Sequence, residues 1–147
     1  MTDHDWACVA PYFRKDSKTD KWGNPYRIDT ALVYGLFELR KLVGKPVHVH
    51  CGVEERYYGY HPKGLAVDVH VEGMPLLDQY LMAERIPVFR GIGLYPWWNR
   101  PGLHLDRRPI SSFEKRWISF GKNKYLPLTA SALSRCFDMA PEPGTAA

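Results

Sequence analysis

The sequence predicts a single α+β domain in which a small antiparallel sheet is flanked by helices. Its 147 residues are 45% hydrophobic and 24% charged, values typical of one soluble domain with one core. Segments with helical three- and four-residue spacing of apolar residues are interspersed with segments of two-residue alternation. The resulting order of helix, strand, strand, helix, strand, strand contains no repeat and no linker, which favours this fold class.

Two helices are predicted. The first covers residues 29–43, where Asp29 is the expected N-cap and Gly44 followed by Pro46 ends the helix. Its buried face is predicted from apolar residues at three- and four-residue steps: Ile28, Leu32, Leu36, Leu39 and Val43. The second helix is predicted over residues 74–86, with Pro75 in its first turn, where the missing N–H costs nothing.

Strands are predicted from apolar and polar alternation. In residues 47–51, Val47, Val49 and Cys51 are expected on the aliphatic face, opposite His48 and His50. In residues 65–71, the alternation places Asp68 and His70 away from the aliphatic face. Further strands are predicted over 89–95, 103–107 and 117–120, with a loop rich in proline and tryptophan over 96–102.

Three regions follow from these elements. Residues 1–27 are expected to form an irregular N-terminal arm, residues 28–139 the domain itself, and residues 140–147 a disordered tail. Three cysteines without CxxC spacing indicate free thiols. The polar N-terminus and the absence of a long apolar run predict cytoplasmic synthesis without a signal peptide, and no stable membrane insertion.

Charge narrows the possible partners. A formal net charge of +4 and a pI near 9.0 fit a protein that works near polyanions. The basic residues are scattered and no nucleic-acid-binding signature is present, so nucleic acid is not expected as a partner.

The residues with the clearest chemistry lie in two segments. His61-Pro-Lys-Gly-Leu-Ala-Val-Asp68 places an imidazole in a loop and a carboxylate on the following strand, and His104-Leu-Asp106 adds a second histidine and a second acid. Two histidines and one carboxylate leave a fourth tetrahedral position open, as in catalytic zinc sites. His48 and His50 share the polar face of one strand, where such residues are most often solvated or hydrogen-bonded.

These segments resemble the zinc D-alanyl-D-alanine carboxypeptidase and endolysin peptidases, peptidase family M15. The resemblance spans residues 28–117 and rests on the HxxGxAxD, GIGLYP and HLD segments, together with Leu39-Arg40, Gly44-Lys45-Pro46, Cys51-Gly52 and Arg116-Trp117. It implies zinc held on the sheet by His61, Asp68 and His104. It also implies hydrolysis of peptidoglycan stem or cross-link peptides, by a carboxypeptidase or an endopeptidase.

The chain departs from the pattern of many members of that family. Cys51-Gly52-Val53-Glu54 replaces Ser-Gly-Tyr-Arg, so that Arg56 is the expected substitute for the missing arginine, and Gly59 replaces a serine. Pro101 stands where many members have the catalytic acid. Asp106 is then the nearest acid as general base, or else an acceptor that orients His104, with Glu54 and Glu55 as rival bases.

Other residues are expected around the site. Tyr95 and Trp97 are expected to wall the substrate groove, although core packing would explain them equally well. Arg107 is expected to bind a substrate carboxylate through its guanidinium fork, and His70 to support the ligands from outside.

Two alternatives keep the fold without the activity. One is a zinc-containing module that binds wall peptides without cutting them, and the other is a phage structural protein. A phage lysin, released through a membrane pore and acting on the cell wall as a monomer, is the expectation that agrees with the absence of an export signal.

Overall fold

The computed structural model describes residues 1–139 and confirms the predicted α+β domain with a largely antiparallel sheet. The predicted tail, 140–147, lies outside the described residues. The elements in chain order are α1 (Asp3–Val9), α2 (Thr30–Val43), β1 (Val47–Cys51), β2 (Ala66–Val71), α3 (Leu76–Ala83), β3 (Gly91–Tyr95), β4 (Gly102–Asp106), β5 (Lys115–Gly121), β6 (Lys124–Pro127) and α4 (Ala130–Met139).

The six strands form one sheet in the order β1-β2-β4-β3-β5-β6. Every neighbouring pair is antiparallel except β3 and β5, which run parallel. The register between β2 and β4 sets Asp68 opposite His104. Two of the predicted metal ligands therefore lie side by side in the middle of the sheet, where the strands on both sides hold them.

Helix α2 confirms the capping predicted from its sequence. The Asp29 carboxylate accepts a hydrogen bond from the Leu32 N–H at 2.9 Å, and Gly44 ends the helix in the left-handed region with φ 65°. The apolar side of α2 packs against the aliphatic face of the sheet. This core leaves the opposite face of β2 and β4 free to carry the polar site.

The N-terminal segment contributes more to the core than an irregular arm would. Thr2 and Asp5 form a capping box that begins α1, although the following residues 11–27 contain no regular helix or strand. Trp6 and Phe13 both meet Trp22 edge-on, with ring centroids 5.0 and 5.7 Å apart, and all three rings are buried. A helix of seven residues is too short to show the apolar periodicity that predicted α2.

Strand β1 corrects one sequence prediction. Cys51 was expected on the aliphatic face with Val47 and Val49, but the pairing of β1 with β2 shifts between Val49 and Cys51. Such a bulge adds one residue to one strand and reverses the facing of the side chains after it. The Cys51 side chain consequently reaches His61 on the polar face, with Sγ 3.7 Å from the imidazole Nδ1.

The C-terminal part contains two elements that the sequence did not predict. Strand β6 is exposed along its length and extends the sheet beyond β5, and α4 buries only Ala132 and Cys136. Elements that are short and largely exposed show no clear hydrophobic periodicity in the sequence. Among residues 1–139, no helix is long and apolar enough to cross a membrane.

Candidate metal centre

His61 is held in one orientation by the loop between β1 and β2. The imidazole is buried, and its Nδ1 hydrogen-bonds to the carbonyl oxygen of Gly52 at 2.7 Å. The other ring nitrogen, Nε2, lies 3.4 Å from Asp68 Oδ1. A histidine whose one N–H is given to a carbonyl presents the other nitrogen as a metal ligand.

The sharp turn after His61 depends on Gly64, as the sequence suggested. Gly64 has a φ of +71°, and a Cβ at this position would lie 2.0 Å from the carbonyl oxygen of Arg27. Only glycine combines this backbone conformation with so close an approach. The turn leads the chain into β2, so that the Asp68 carboxylate lies close to the His61 imidazole.

His104 completes the predicted set from strand β4. Its Nδ1 lies 3.0 Å from Asp68 Oδ1, and its ring meets the His61 ring edge-on with centroids 5.1 Å apart. A single carboxylate oxygen of Asp68 is therefore shared by the two imidazoles. Asp68 therefore contacts both predicted histidine ligands, but His104 is outside the group whose ligand atoms all lie within 4.8 Å of one another.

Cys51 belongs to the same centre and was missed as a ligand. Ligand atoms of Cys51, His61 and Asp68 lie within 4.8 Å of one another, so this group could hold a metal ion. Simple alternation along β1 predicts that the thiol points into the core, so no local pattern marks it as a candidate ligand. Only the bulge brings it to the polar face.

The electrostatics of the centre are those of positive imidazoles around negative carboxylates. Burial lowers the pKa of His61, but its contacts with Asp68 and Cys51 outweigh burial and raise the pKa to about 9. Burial likewise opposes protonation of His104, and Asp106 and Asp68 together raise its pKa to about 9. Burial raises the pKa of Asp68, but the two imidazoles hold it well below its ordinary value.

Asp106 lies beneath His104 and is fully buried. Its Oδ2 is 3.1 Å from His104 Nε2, and it accepts two hydrogen bonds from the Arg108 guanidinium at 2.8 and 2.6 Å. Burial raises its pKa, but Arg108 and His104 lower the pKa to about 2. Gly91 gives it room, since a Cβ there would lie 2.3 Å from the carboxylate. This geometry favours a positioning role for Asp106 over the role of general base.

We expect Asp106→Asn to weaken metal binding. The amide cannot keep His104 oriented as the carboxylate does, and lost supporting contacts of this kind cost roughly ten- to a hundredfold in metal affinity. Competition with a chromogenic chelator measures the change. Asp78→Asn is the matched control, because Asp78 lies in the first turn of α3 and not on the strands that carry the centre. Equal affinities in Asp106→Asn and the wild type would contradict the positioning role.

The centre opens into a cleft of about 520 Å³. Arg56 and Trp97, both predicted at the substrate groove, line it beside Asp68. The Trp97 indole is fixed by a 3.0 Å hydrogen bond to Ser119 Oγ. The remaining lining residues are His50, Cys51, Glu54, Trp98, Asn99 and Arg100.

The structure does not bring three of the predicted residues into this lining. Arg107 makes two hydrogen bonds to Asp29 at 2.7 and 2.9 Å, which tie the end of β4 to the start of α2. Tyr95 stacks on Trp98 and accepts a hydrogen bond from Trp117, and burial raises its pKa to about 12. His70 contacts His50 instead of the ligands.

Glu54 is the carboxylate that the structure places at the open side of the centre. Its Oε2 lies 3.5 Å from Cys51 Sγ, and it forms an ion pair with Arg56. That pairing lowers the pKa of Glu54, which is therefore ionised at neutral pH. The rival acid, Glu55, points elsewhere and pairs with Arg27. Pro101 offers no acid, and its carbonyl accepts a hydrogen bond from Gln79.

Comparisons with protein-family models, with curated proteins and with solved structures find no match to this chain.

Proposed function

We propose that this protein is a zinc peptidase that hydrolyses stem or cross-link peptides of peptidoglycan. The observation that carries the proposal is the convergence of His61 Nε2 and His104 Nδ1 on one oxygen of Asp68, a residue that lines an open cleft together with Cys51. The sequence resemblance to zinc D-alanyl-D-alanine carboxypeptidases and endolysins supports the class of substrate.

The donor set fits zinc. Imidazole nitrogens and a carboxylate oxygen, with a thiol beside them, are ligands that zinc accepts in tetrahedral sites, whereas magnesium and calcium prefer oxygen alone. The outer nitrogens of His61 and His104 face Gly52 O and Asp106, which fixes both rings in the orientation typical of metal-bound histidines. His61, Asp68 and His104 would hold the ion, with Cys51 at its side.

A bound zinc ion supplies an activated water and polarises the carbonyl of the bond to be cut. The chain supplies the remaining groups. Glu54 is ionised and lines the cleft, so its carboxylate would be the group of this chain that accepts a proton during hydrolysis and donates it to the leaving amine. Arg56 pairs with Glu54, and its guanidinium would add positive charge to the cleft in which the substrate carbonyl is bound.

The walls of the cleft suit a short, acidic peptide. Trp97 and Trp98 offer flat apolar surface, and Arg56 and Arg100 offer guanidinium groups that bind carboxylates through paired hydrogen bonds. Stem peptides of peptidoglycan combine small side chains with free carboxylates. The net charge of +4 also favours approach to the anionic wall.

The deciding experiment compares the wild type with His61→Ala. Metal content is measured by elemental analysis, and cleavage of purified peptidoglycan fragments is followed by mass spectrometry, which also identifies the bond cut. His4→Ala is the matched control, since His4 is an exposed histidine on α1. We expect bound zinc and cleavage in the wild type and the control, and loss of both in His61→Ala. Zinc bound without cleavage of any fragment would favour a binding module instead.

A further inference from the structure

The thiol of Cys51 lies among the potential ligands of the metal centre. Its Sγ is 3.7 Å from His61 Nδ1, and ligand atoms of Cys51, His61 and Asp68 all lie within 4.8 Å of one another. Among residues 1–139, this is the set of three side chains that comes close enough to hold one ion. The set that the sequence resemblance implies, His61, Asp68 and His104, does not include this sulfur.

The sulfur is held in place by the backbone that follows it. The N–H of Gly52 donates a hydrogen bond to the carbonyl oxygen of Lys21 at 2.8 Å, and a Cβ on Gly52 would lie 2.4 Å from the carbonyl oxygen of Trp22. Trp22 is buried, so this stretch is fixed against the core. The Gly52 carbonyl also forms the hydrogen bond that orients His61. One glycine therefore positions both the thiol and the imidazole before any ion binds.

The surroundings of Cys51 differ from those of the other two cysteines. Cys136 belongs to the hydrophobic core, where a thiol behaves as a small apolar side chain. Cys8 is exposed on α1 with its Sγ 3.7 Å from His4 Nε2, but within residues 1–139 this pair is not part of a set of three potential ligands. Cys51 combines an imidazole with a carboxylate and lines an open cleft. Its thiol thus has both the partners and the access that metal binding requires.

The charge balance of the centre favours a thiolate ligand. The carboxylates of Asp106 and Glu54 are already offset by Arg108 and Arg56. A divalent ion bound by Asp68 and by imidazoles, which bind metals in their neutral form, would leave one positive charge uncompensated in a mostly buried centre. A coordinated thiol gives up its proton to solvent, and the resulting negative charge cancels the excess.

We propose that the Cys51 thiolate is a direct ligand of the metal ion, alongside His61 and Asp68. The proposal rests on the metal centre of the proposed function and not on its peptidase activity. Sulfur is a soft donor, and zinc accepts thiolate together with imidazole and carboxylate, whereas magnesium and calcium bind oxygen. Cys51 is therefore the residue of this centre that most strongly selects zinc over these ions.

X-ray absorption at the zinc edge tests this assignment without any assay of activity. Zinc–thiolate bonds are about 2.3 Å long and zinc bonds to nitrogen or oxygen ~2.0–2.2 Å, so the sulfur shell is distinguishable. We expect about one sulfur per zinc in wild-type protein loaded with an equimolar amount of zinc ions. The sulfur shell should be absent in Cys51→Ser and present in Cys8→Ser, the matched control, which removes a thiol that also lies beside a histidine.

Alkylation provides a second measurement on the wild type alone, so that the test does not depend on the folding of Cys51→Ser. Iodoacetamide is added to the protein with and without zinc ions, and the labelled peptides are quantified by mass spectrometry. Zinc should block labelling of Cys51, and a chelator should restore it. Labelling of Cys8, which is exposed, should be the same in both states. Equal labelling of Cys51 with and without zinc would overturn the proposal.

The outcomes separate the ligand assignment from the proposed function. Zinc bound through nitrogen and oxygen alone would overturn the assignment of Cys51, and so would a sulfur shell that persists in Cys51→Ser. Cleavage of peptidoglycan fragments by the same preparation would leave the peptidase standing. A sulfur shell that depends on Cys51, in a protein that cleaves no fragment, would establish the ligand and remove the peptidase. A wild type that binds no zinc would overturn both.

Discussion

Asp68→Asn is expected to remove metal binding and cleavage together. The substitution keeps the shape of the side chain but removes the negative charge that lies between His61 and His104, at 3.4 and 3.0 Å. The loss of metal affinity should exceed the roughly ten- to a hundredfold that a supporting contact contributes, because a ligand itself is changed. Chelator competition and cleavage of peptidoglycan fragments measure the two losses in the same preparation.

Asp78→Asn is the matched control for this variant. Asp78 lies in the first turn of α3, so that the same chemical change is made away from the centre. We expect the control to bind metal and cleave as the wild type does. Wild-type metal affinity in Asp68→Asn would rule out Asp68 as a ligand, and the proposed centre would then lose its shared oxygen.

Glu54→Gln is expected to abolish cleavage while leaving the metal in place. Glu54 lines the cleft but is not among the three predicted ligands, and its amide analogue cannot take up a proton. General bases contribute roughly a hundred- to ten-thousandfold to the rate, so the turnover of peptidoglycan fragments should fall within that range. The measurement is the initial rate of cleavage at saturating zinc, alongside zinc content.

Glu55→Gln is the neighbouring control, because Glu55 is exposed and pairs with Arg27 outside the cleft. Its rate should equal that of the wild type. If Glu54→Gln cleaved normally and Asp106→Asn lost its rate with metal fully bound, the base would be Asp106 instead. The buried pairing of Asp106 with Arg108 argues against that result.

Much of the candidate centre could be predicted because its ligands follow strong local patterns. Asp68 lies on the polar side of an alternating strand, and His61 precedes a glycine that must turn with positive φ. His104 follows at the register that antiparallel pairing requires. Alternation and turn chemistry are properties of a few consecutive residues, and such properties can be read from the sequence.

The roles of several surrounding residues could not be read in this way. Arg107 and Arg108 are adjacent, yet Arg107 pairs with Asp29 and Arg108 with Asp106. The direction of each guanidinium depends on which carboxylate packs near it. Asp29 is distant from Arg107 in the sequence, and Asp106 is buried. The sequence alone does not distinguish the two adjacent arginines, and Arg107 was the one predicted to contact substrate.

The sequence by itself determined the fold class, the capped helix α2 and the alternating strands, and it placed His61 and Asp68 where the structure brings them into contact. Tertiary structure alone decided that Cys51 faces His61, that Asp106 supports His104 from below, and that Glu54 lies at the open side. The physical reason is that local periodicity fixes which face a residue occupies only while the strand pairing is regular. The bulge in β1 breaks that regularity, and its position results from pairing with β2, a strand 15 or more residues further along the chain.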